Sequence, residues 1–354
     1  MQINFHHATT YVVAREAGFN HHDAGIIAYA SQYVDDATCS GAVYFDNGAA
    51  YKRINSAHKM IDIRNAEELA NHTVWLPFHF LPGNGGLPSE QNPEGSFIDK
   101  IVCTPDSPIA REMVRDAILE KHRAYGLHRL GVTLHVYADT WAHQGFAGVT
   151  HQINEVEKAR ETGKSGIFNK PLSSLLDSFL DDAIPPLGHA RAQVFPDMPF
   201  LRWQYKNGRG KLIPRDNPAD FLAASEQMCI AMRRYILGDP QASVRGLSDQ
   251  TRKQIRTMFA TTLSDDGSWR HQKWLTAIRE GLFTVCGKAD IDDYDPLGEA
   301  SWKADALGTS DDLHEYRYQS HFLSSNWKQF HDAIQAHRFN VIYNILPKYG
   351  ICAA

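Results

Sequence analysis

Cysteine is scarce: the 354 residues hold only Cys39, Cys103, Cys229, Cys286 and Cys352, an odd number with no CxxC pair. This argues against a zinc–thiolate site and a disulfide framework, and reduced thiols in a cytoplasmic protein are the expectation. No apolar run is long enough to span a bilayer. The opening stretch, MQINFHHATTYVVAREAG, has no basic flank followed by an apolar core, so it does not read as a secretory signal. Export by a signal-independent route stays open. Positive charge is not in excess either: at a formal net charge of -5 there is no basic footprint, and strong nucleic-acid binding is not expected. Strand signals are few, and neither repeats nor low-complexity tracts appear, which points to an all-α fold.

Against these absences, the hydrophobic share of 43% and the charged share of 22% are those of a globular chain able to bury a large core. Helices are expected from Thr9 to Ala17, stopped by Gly18, and from His22 to Asp35, capped by Asn20, with a small-residue face of Ala24, Ile27, Ala28 and Ser31. Residues 39–56 read as loop or short strand, and 75–108, dense in Pro and Gly, as a long irregular excursion. Further helices are expected at 109–124, 127 to about 145, 171–183, 218–237, 248–263, 268–285 and 311–346, with 187–200 a loop of helical start. Two regions follow: a metal-binding core over 1–205, and a helical extension over 206–354 packed on it. Trp269, Trp274, Trp302 and Trp327 of the extension are expected to serve core packing.

Histidine is abundant, 18 in all, including His6-His7, His21-His22, His58, His72, His79, His135, His143 and His151 early in the chain. Imidazoles grouped with carboxylates are what a nitrogen- and oxygen-ligated metal requires. The stretch LHRLGVTLHVYADTWAHQGFAG places His135, Asp139 and His143 at i, i+4 and i+8, on one side of a helix. The outer pair lies about 12 Å apart along the axis, too far to share one ion with ~2.1 Å bonds. Asp139 between them can offer one oxygen to each side, so the spacing predicts two bridged cations, about 3.5–4 Å apart. Leu130, Leu134, Val136, Trp141 and Phe146 around the motif imply burial, where a carboxylate needs partners.

His6, Asp35, Asp36 and His58 are the candidates for the remaining ligands. Asp35 and Asp36 close a helix, where the dipole disfavours negative charge unless a cation compensates; His6 opens one, where a neutral imidazole is preferred. Downstream, either His151 with Glu155 or His189 with Asp197 can complete the second ion, although THQINEVEKARETG reads as an exposed polar helix. His7, His21, His22 and His72, and later His314, His321, His331 and His337, read as surface residues. His79 reads as a core or pocket histidine, and His128 as a core or supporting partner.

This pattern resembles the zinc-dependent phospholipase C and single-strand nuclease superfamily. It is carried by His6 in FHHATTYVVA, Asp35 and Asp36 in SQYVDD, His58 in SAHKM, and His135, Asp139 and His143 in HVYADTWAHQGF. Longer stretches, among them IAYASQYVDDAT, LPFHFLPGNGG and GHARAQVFPDMPFLRW, are similar to an uncharacterised bacterial family over most of 1–205. The superfamily resemblance implies a helical bundle, here with long irregular loops and added C-terminal helices. It implies two or three zinc ions, or other divalent metals, held by His6, Asp35, His58, His135, Asp139 and His143. Its next His-and-acid pair is matched in spacing by His151 and Glu155, with His189 the competing ligand. Asp35 or Asp36 would orient or deprotonate water. The chain departs from the superfamily at two points. It opens with Met-Gln-Ile-Asn-Phe where the superfamily ligates zinc through an N-terminal Trp amine, and three residues, not five, separate Asp139 from His143.

The expected function is thus a metal-dependent hydrolase of small or lipid phosphate esters, phosphodiesterase or phospholipase C-like, with Trp75, Phe78, Phe80 and Phe97 walling the pocket. Two other classes stand beside it: a His-Asp doublet phosphohydrolase using His22-Asp23, and a non-catalytic metal-binding or helical interaction protein such as a secreted effector.

Overall fold

A computed structural model of the chain describes residues 1–58, 68–163, 165 and 187–352. The chain enters through a wide π-turn, Asn4–Thr9, and continues as α1 (Thr10–Ala17), which ends at Gly18 with φ 114°. α2 (His21–Asp36) starts where the Asn20 side chain accepts from the Asp23 amide. A hairpin of β1 (Gly41–Tyr44) and β2 (Ala50–Arg53) follows, then α3 (Glu68–Phe78) with Pro77 in its last turn, and the short α4 (Phe97–Ile101). α5 (Pro108–Leu119) is capped by Ser107 with Pro108 at its first position, and α6 (Gly126–Ala142) ends on His143.

The second sheet is antiparallel, with β3 (Val156–Glu161), β4 (Arg202–Asn207) and β5 (Leu212–Asp216) in that order and a bulge between Glu157 and Arg160. Beyond it come α7 (Asn217–Leu237), α8 (Asp249–Thr261), α9 (Gly267–Arg279), α10 (Trp302–Leu307) and α11 (Asn326–Phe339), the last running into a π-turn, Asn340–Ile345.

The fold is therefore mixed, with two antiparallel sheets beside the helices among the described residues, and the all-α expectation is corrected. The reason is local. β3 reads VEKARE and buries only Ala159, so it shows no period-two apolar signal and passes for a polar helix. β4 does alternate, burying Trp203 and Tyr205 between Arg202, Gln204 and Lys206, but over too few residues to stand out. Within 75–108, α3 extends to Phe78 and α4 interrupts the loop. The long helix expected at 311–346 begins only at Asn326. The helix expected at 171–183 lies outside the described residues.

α6 is the axis of the molecule: every residue from His128 to His143 is buried, and the helix packs on α2, α5, α7 and α11. Its approach to α2 depends on Gly131. A Cβ there would lie 2.6 Å from the Ile27 carbonyl oxygen and 2.7 Å from Ala30 Cβ. The small-residue face of α2 thus meets a glycine of α6, and the two backbones close to contact. One apolar cluster joins α1, α5 and α6 to α7, α8 and α9 across the expected boundary at 205/206, which β4 also spans. Trp274 and Trp327 are buried in the core, Trp302 stacks on Tyr29, and Trp269 is exposed. Among the described residues no helix is long and apolar enough to cross a membrane.

Candidate metal centre

The α2–α6 contact brings Asp35, in the last turn of α2, alongside His135 on α6. His6 comes from the opening π-turn, and its ring stacks on that of His135 at 3.9 Å. His79 follows directly on α3, its amide donating to the Trp75 carbonyl. His143 caps α6, whose last turn is closed by buried Arg215 donating to the carbonyls of Trp141 and Ala142 at 2.9 and 3.0 Å. His189 and Asp197 come from the 3₁₀ turns before β4.

Among the described residues three donor groups result, each with its ligand atoms within 4.8 Å of one another: His6, Asp35 and His135; His79, His135 and Asp139; His143, His189 and Asp197.

The histidines are oriented by backbone carbonyls. His135 Nδ1 is 2.8 Å from the Ser31 oxygen, His79 Nε2 2.9 Å from that of Ser56, His143 Nδ1 2.7 Å from that of His79, and His189 Nδ1 2.9 Å from that of Gln193. A carbonyl oxygen only accepts, so the facing ring nitrogen carries the proton and the other nitrogen of a neutral ring is a bare lone pair. Those bare nitrogens converge. His135 Nε2 and His79 Nδ1 face each other at 3.4 Å, and Asp139 Oδ2 lies 3.3 and 3.6 Å from them. At the other end Asp197 lies 3.6 Å from both His143 Nε2 and His189 Nε2. Two donors holding one ion through ~2.1 Å bonds at tetrahedral angles are about 3.4 Å apart. The observed gaps match that span better than they match hydrogen bonds.

Electrostatics agree. Burial lowers the pKa of His135 and of His189 to about 4, so both are neutral at pH 7. Burial and the neighbouring His135 also push His6 well down. For Asp139, burial alone would raise the pKa, but His143, the Met1 amine, His135 and His6 together hold it well below the usual carboxylate range. Asp35 is pushed up by burial and by the charge of Asp139. The Met1 α-amino group is buried among them, 2.6 Å from Asp139 Oδ1 and 3.3 Å from Asp197 Oδ1. Burial opposes its charge, yet Asp139, Asp197 and Asp35 carry its pKa up to about 11.

Of the residues expected from sequence, His6, Asp35, His135, Asp139, His143 and His189 lie in the donor groups. Asp139 does not divide its oxygens between His135 and His143. Its Oδ2 faces all three of His135, His79 and His143, at 3.3, 3.6 and 3.6 Å, its Oδ1 faces the Met1 amine and His6, and the other nitrogen of His143, Nε2, turns to Asp197. His58 is buried, its ring 6.1 Å from that of Trp75, and belongs to none of these groups. Asp36 turns away, accepting from Gln32 and from the Tyr294 hydroxyl. His151 caps a 3₁₀ turn and Glu155 faces Arg191, so neither enters a group.

His79 was not read as a ligand; its sole signal is a polar ring in the apolar stretch WLPFHFLPG. His7, His331 and His337, expected at the surface, are buried. Neither a comparison with curated proteins nor one with solved structures gives a match. The sequence does match a family profile over residues 1–345, and the chain belongs to the family of unknown function DUF6765.

Proposed function

We propose that this cluster holds two or more divalent cations, zinc fitting the donor set best, and that the protein is a metal-dependent hydrolase of phosphate esters, small or lipid-borne. One observation carries the reading. His135 Nε2, His79 Nδ1 and Asp139 Oδ2, all electron-rich, converge within 3.6 Å. Such a trio repels itself unless a cation lies between its members. His6 and Asp35 extend that group, and His143, His189 and Asp197 form a second of the same kind. All donors are nitrogen or oxygen, a set that zinc accepts.

When bound, a divalent pair supplies Lewis-acid charge that acidifies water and offsets the charge developing on a phosphoryl group. The chain's own part is orientation and proton handling. The backbone carbonyls fix four imidazole rings in one tautomer, so the donors are organised before any ligand arrives. Phe80 stacks on His143 at 4.5 Å and keeps solvent from that ring. Asp35, 32% exposed, is where the cluster meets solvent, and it can orient a water and accept its proton. The low cysteine content, with no CxxC pair, suits a reducing, cytoplasmic setting.

Elemental analysis of dialysed protein should give two or more zinc-type ions per chain. Asp139→Asn should lose the metal and the hydrolysis of bis-p-nitrophenyl phosphate together, with phosphocholine esters and single-stranded DNA as companion substrates. A wild-type protein that neither carries nor takes up divalent metal sinks the proposal.

The depth of the cluster favours one second reading, a metal centre that stabilises the fold without turnover. Apart from Asp35, its most open side chains are His189 at 19% and Asp197 at 11%. Tightly held metal without hydrolysis of any of these substrates decides for that reading.

A further inference from the structure

The cluster draws on two doublets, His6-His7 and Asp35-Asp36, and in each only the first residue enters a donor group. The second residues are held from elsewhere. His7 Nδ1 lies 2.9 Å from His271 Nε2, both buried. Asp36 Oδ2 accepts from the Tyr294 hydroxyl at 2.7 Å, and the Tyr294 ring stands 5.4 Å from that of His7. Next to His271, fully buried Arg270 donates to the Gln2 side chain and, at 3.3 Å, to Asn4 Oδ1. Arg279, at the end of α9, donates to the Ile291 carbonyl at 2.6 and 3.1 Å and to Asp293 at 2.9 Å. α9 and the segment reaching Tyr294 are thereby tied together.

We propose that this unit is a positioning clamp: Arg270, His271 and Tyr294 grip Asn4, His7 and Asp36 so that His6 and Asp35 face the donor cluster. Successive residues of a helix point about 100° apart, so fixing one of a doublet sets the direction of the other. Both doublets need that help. The π-turn carrying His6-His7 lacks the regular i→i−4 ladder. Asp35 and Asp36 close α2, where the final carbonyls have no helical partner and the turn tends to fray. The inference rests on the metal-centre reading for its consequence, since it names groups outside the donors that set the donors' geometry.

Two variants test it. Tyr294→Phe removes a single hydroxyl and keeps the ring; Arg270→Met removes the guanidinium. Hydrogen exchange of metal-free protein reads the clamp without any ion. R270M should exchange at least about tenfold faster over residues 2–9, and Y294F over residues 33–38, with α6 as protected as in the parent. Zinc affinity, measured by chelator competition, should fall by about tenfold or more in each, the usual cost of losing a supporting contact. Unchanged exchange overturns the clamp, and so does a rise spread evenly over the chain, which marks general destabilisation. Faster local exchange with parental zinc affinity overturns the positioning role. If R270M does not fold, Y294F decides alone. A parent protein that takes no zinc but shows the local exchange pattern keeps the clamp and removes the metal reading.

Discussion

Gly131→Ala tests whether the candidate centre depends on the backbone approach of α2 to α6. In an exposed helix this change would stabilise by about 1 kcal/mol, since alanine is the better helix former. Here the added methyl meets the Ile27 carbonyl oxygen at 2.6 Å and Ala30 Cβ at 2.7 Å, against the 3.4 Å at which ordinary contact begins. The helices must part by about 0.8 Å to accept it, and overpacking of this kind costs roughly 1–3 kcal/mol. The contact outweighs the propensity, so a net loss of stability is expected in urea unfolding. The consequence for the site is larger. His135 Nε2 and Asp35 Oδ1 are 3.7 Å apart, and two ligands of one ion with ~2.1 Å bonds span at most about 4.2 Å. A shift of that size takes the pair beyond this limit and moves Ser31, whose carbonyl orients His135. Zinc affinity, followed by chelator competition, should drop by at least about tenfold, the scale seen when a metal ligand's support is removed. A folded G131A protein with unchanged affinity and undiminished stability would refute the argument.

His79→Ala should remove as much metal as His135→Ala, because their bare nitrogens face the same point, whereas His58→Ala should leave metal content at the parental level; elemental analysis of the three variants reads this directly, and metal loss in H58A alone would reverse the assignment. In the presence of chelator, stability should fall as pH drops from about 6.5 to about 4. His135, His189, His128 and His271 have pKa values near 4 in the fold, against about 6.5 when unfolded, so the unfolded chain takes up protons first. These groups contribute no pH dependence above pH 7. Asp35 and Asp36, pushed up by burial, act in the opposite sense and reduce the net drop. Equal urea midpoints at pH 7.5 and 4.5 would contradict this sign.

The legible parts of the sequence were those written within one element. His135, Asp139 and His143 share a helix face, so their spacing alone states their proximity. Asn20 and Gly18 mark helix ends where the structure has them. The polar strand Val156–Glu161 carried no apolar period and was read as helix, because its stability comes from pairing with Arg202–Asn207, some 45 residues on. His79 stayed hidden for a related reason: a lone ring at the end of an apolar helix looks the same in sequence whether it faces the core or a ligand. The tautomers that make the donors are set by carbonyls of Ser31, Ser56 and Gln193, and no residue type reports where a carbonyl points. The grip of α9 on the first turn joins residues 264 apart and leaves no local trace.

The charge balance of the cluster bears on the choice between a metal site and an ordinary polar core. Asp35, Asp139 and Asp197 sit within one cluster, and Asp139 is almost fully buried at 1%. A buried carboxylate without compensation costs several kcal/mol. His135 and His189 do not balance them as imidazolium, because burial holds both near pKa 4. The Met1 ammonium, shared among Asp139, Asp197 and Asp35, is one positive charge against three carboxyl groups. The cations of the proposed centre, binding only the folded chain, would supply the missing positive charge. Their binding energy then becomes folding energy, about 4 kcal/mol at a thousandfold excess over the dissociation constant. On the proposed reading the ions that carry the chemistry also hold α2 and α6 together, and stability and activity should be lost at one metal concentration.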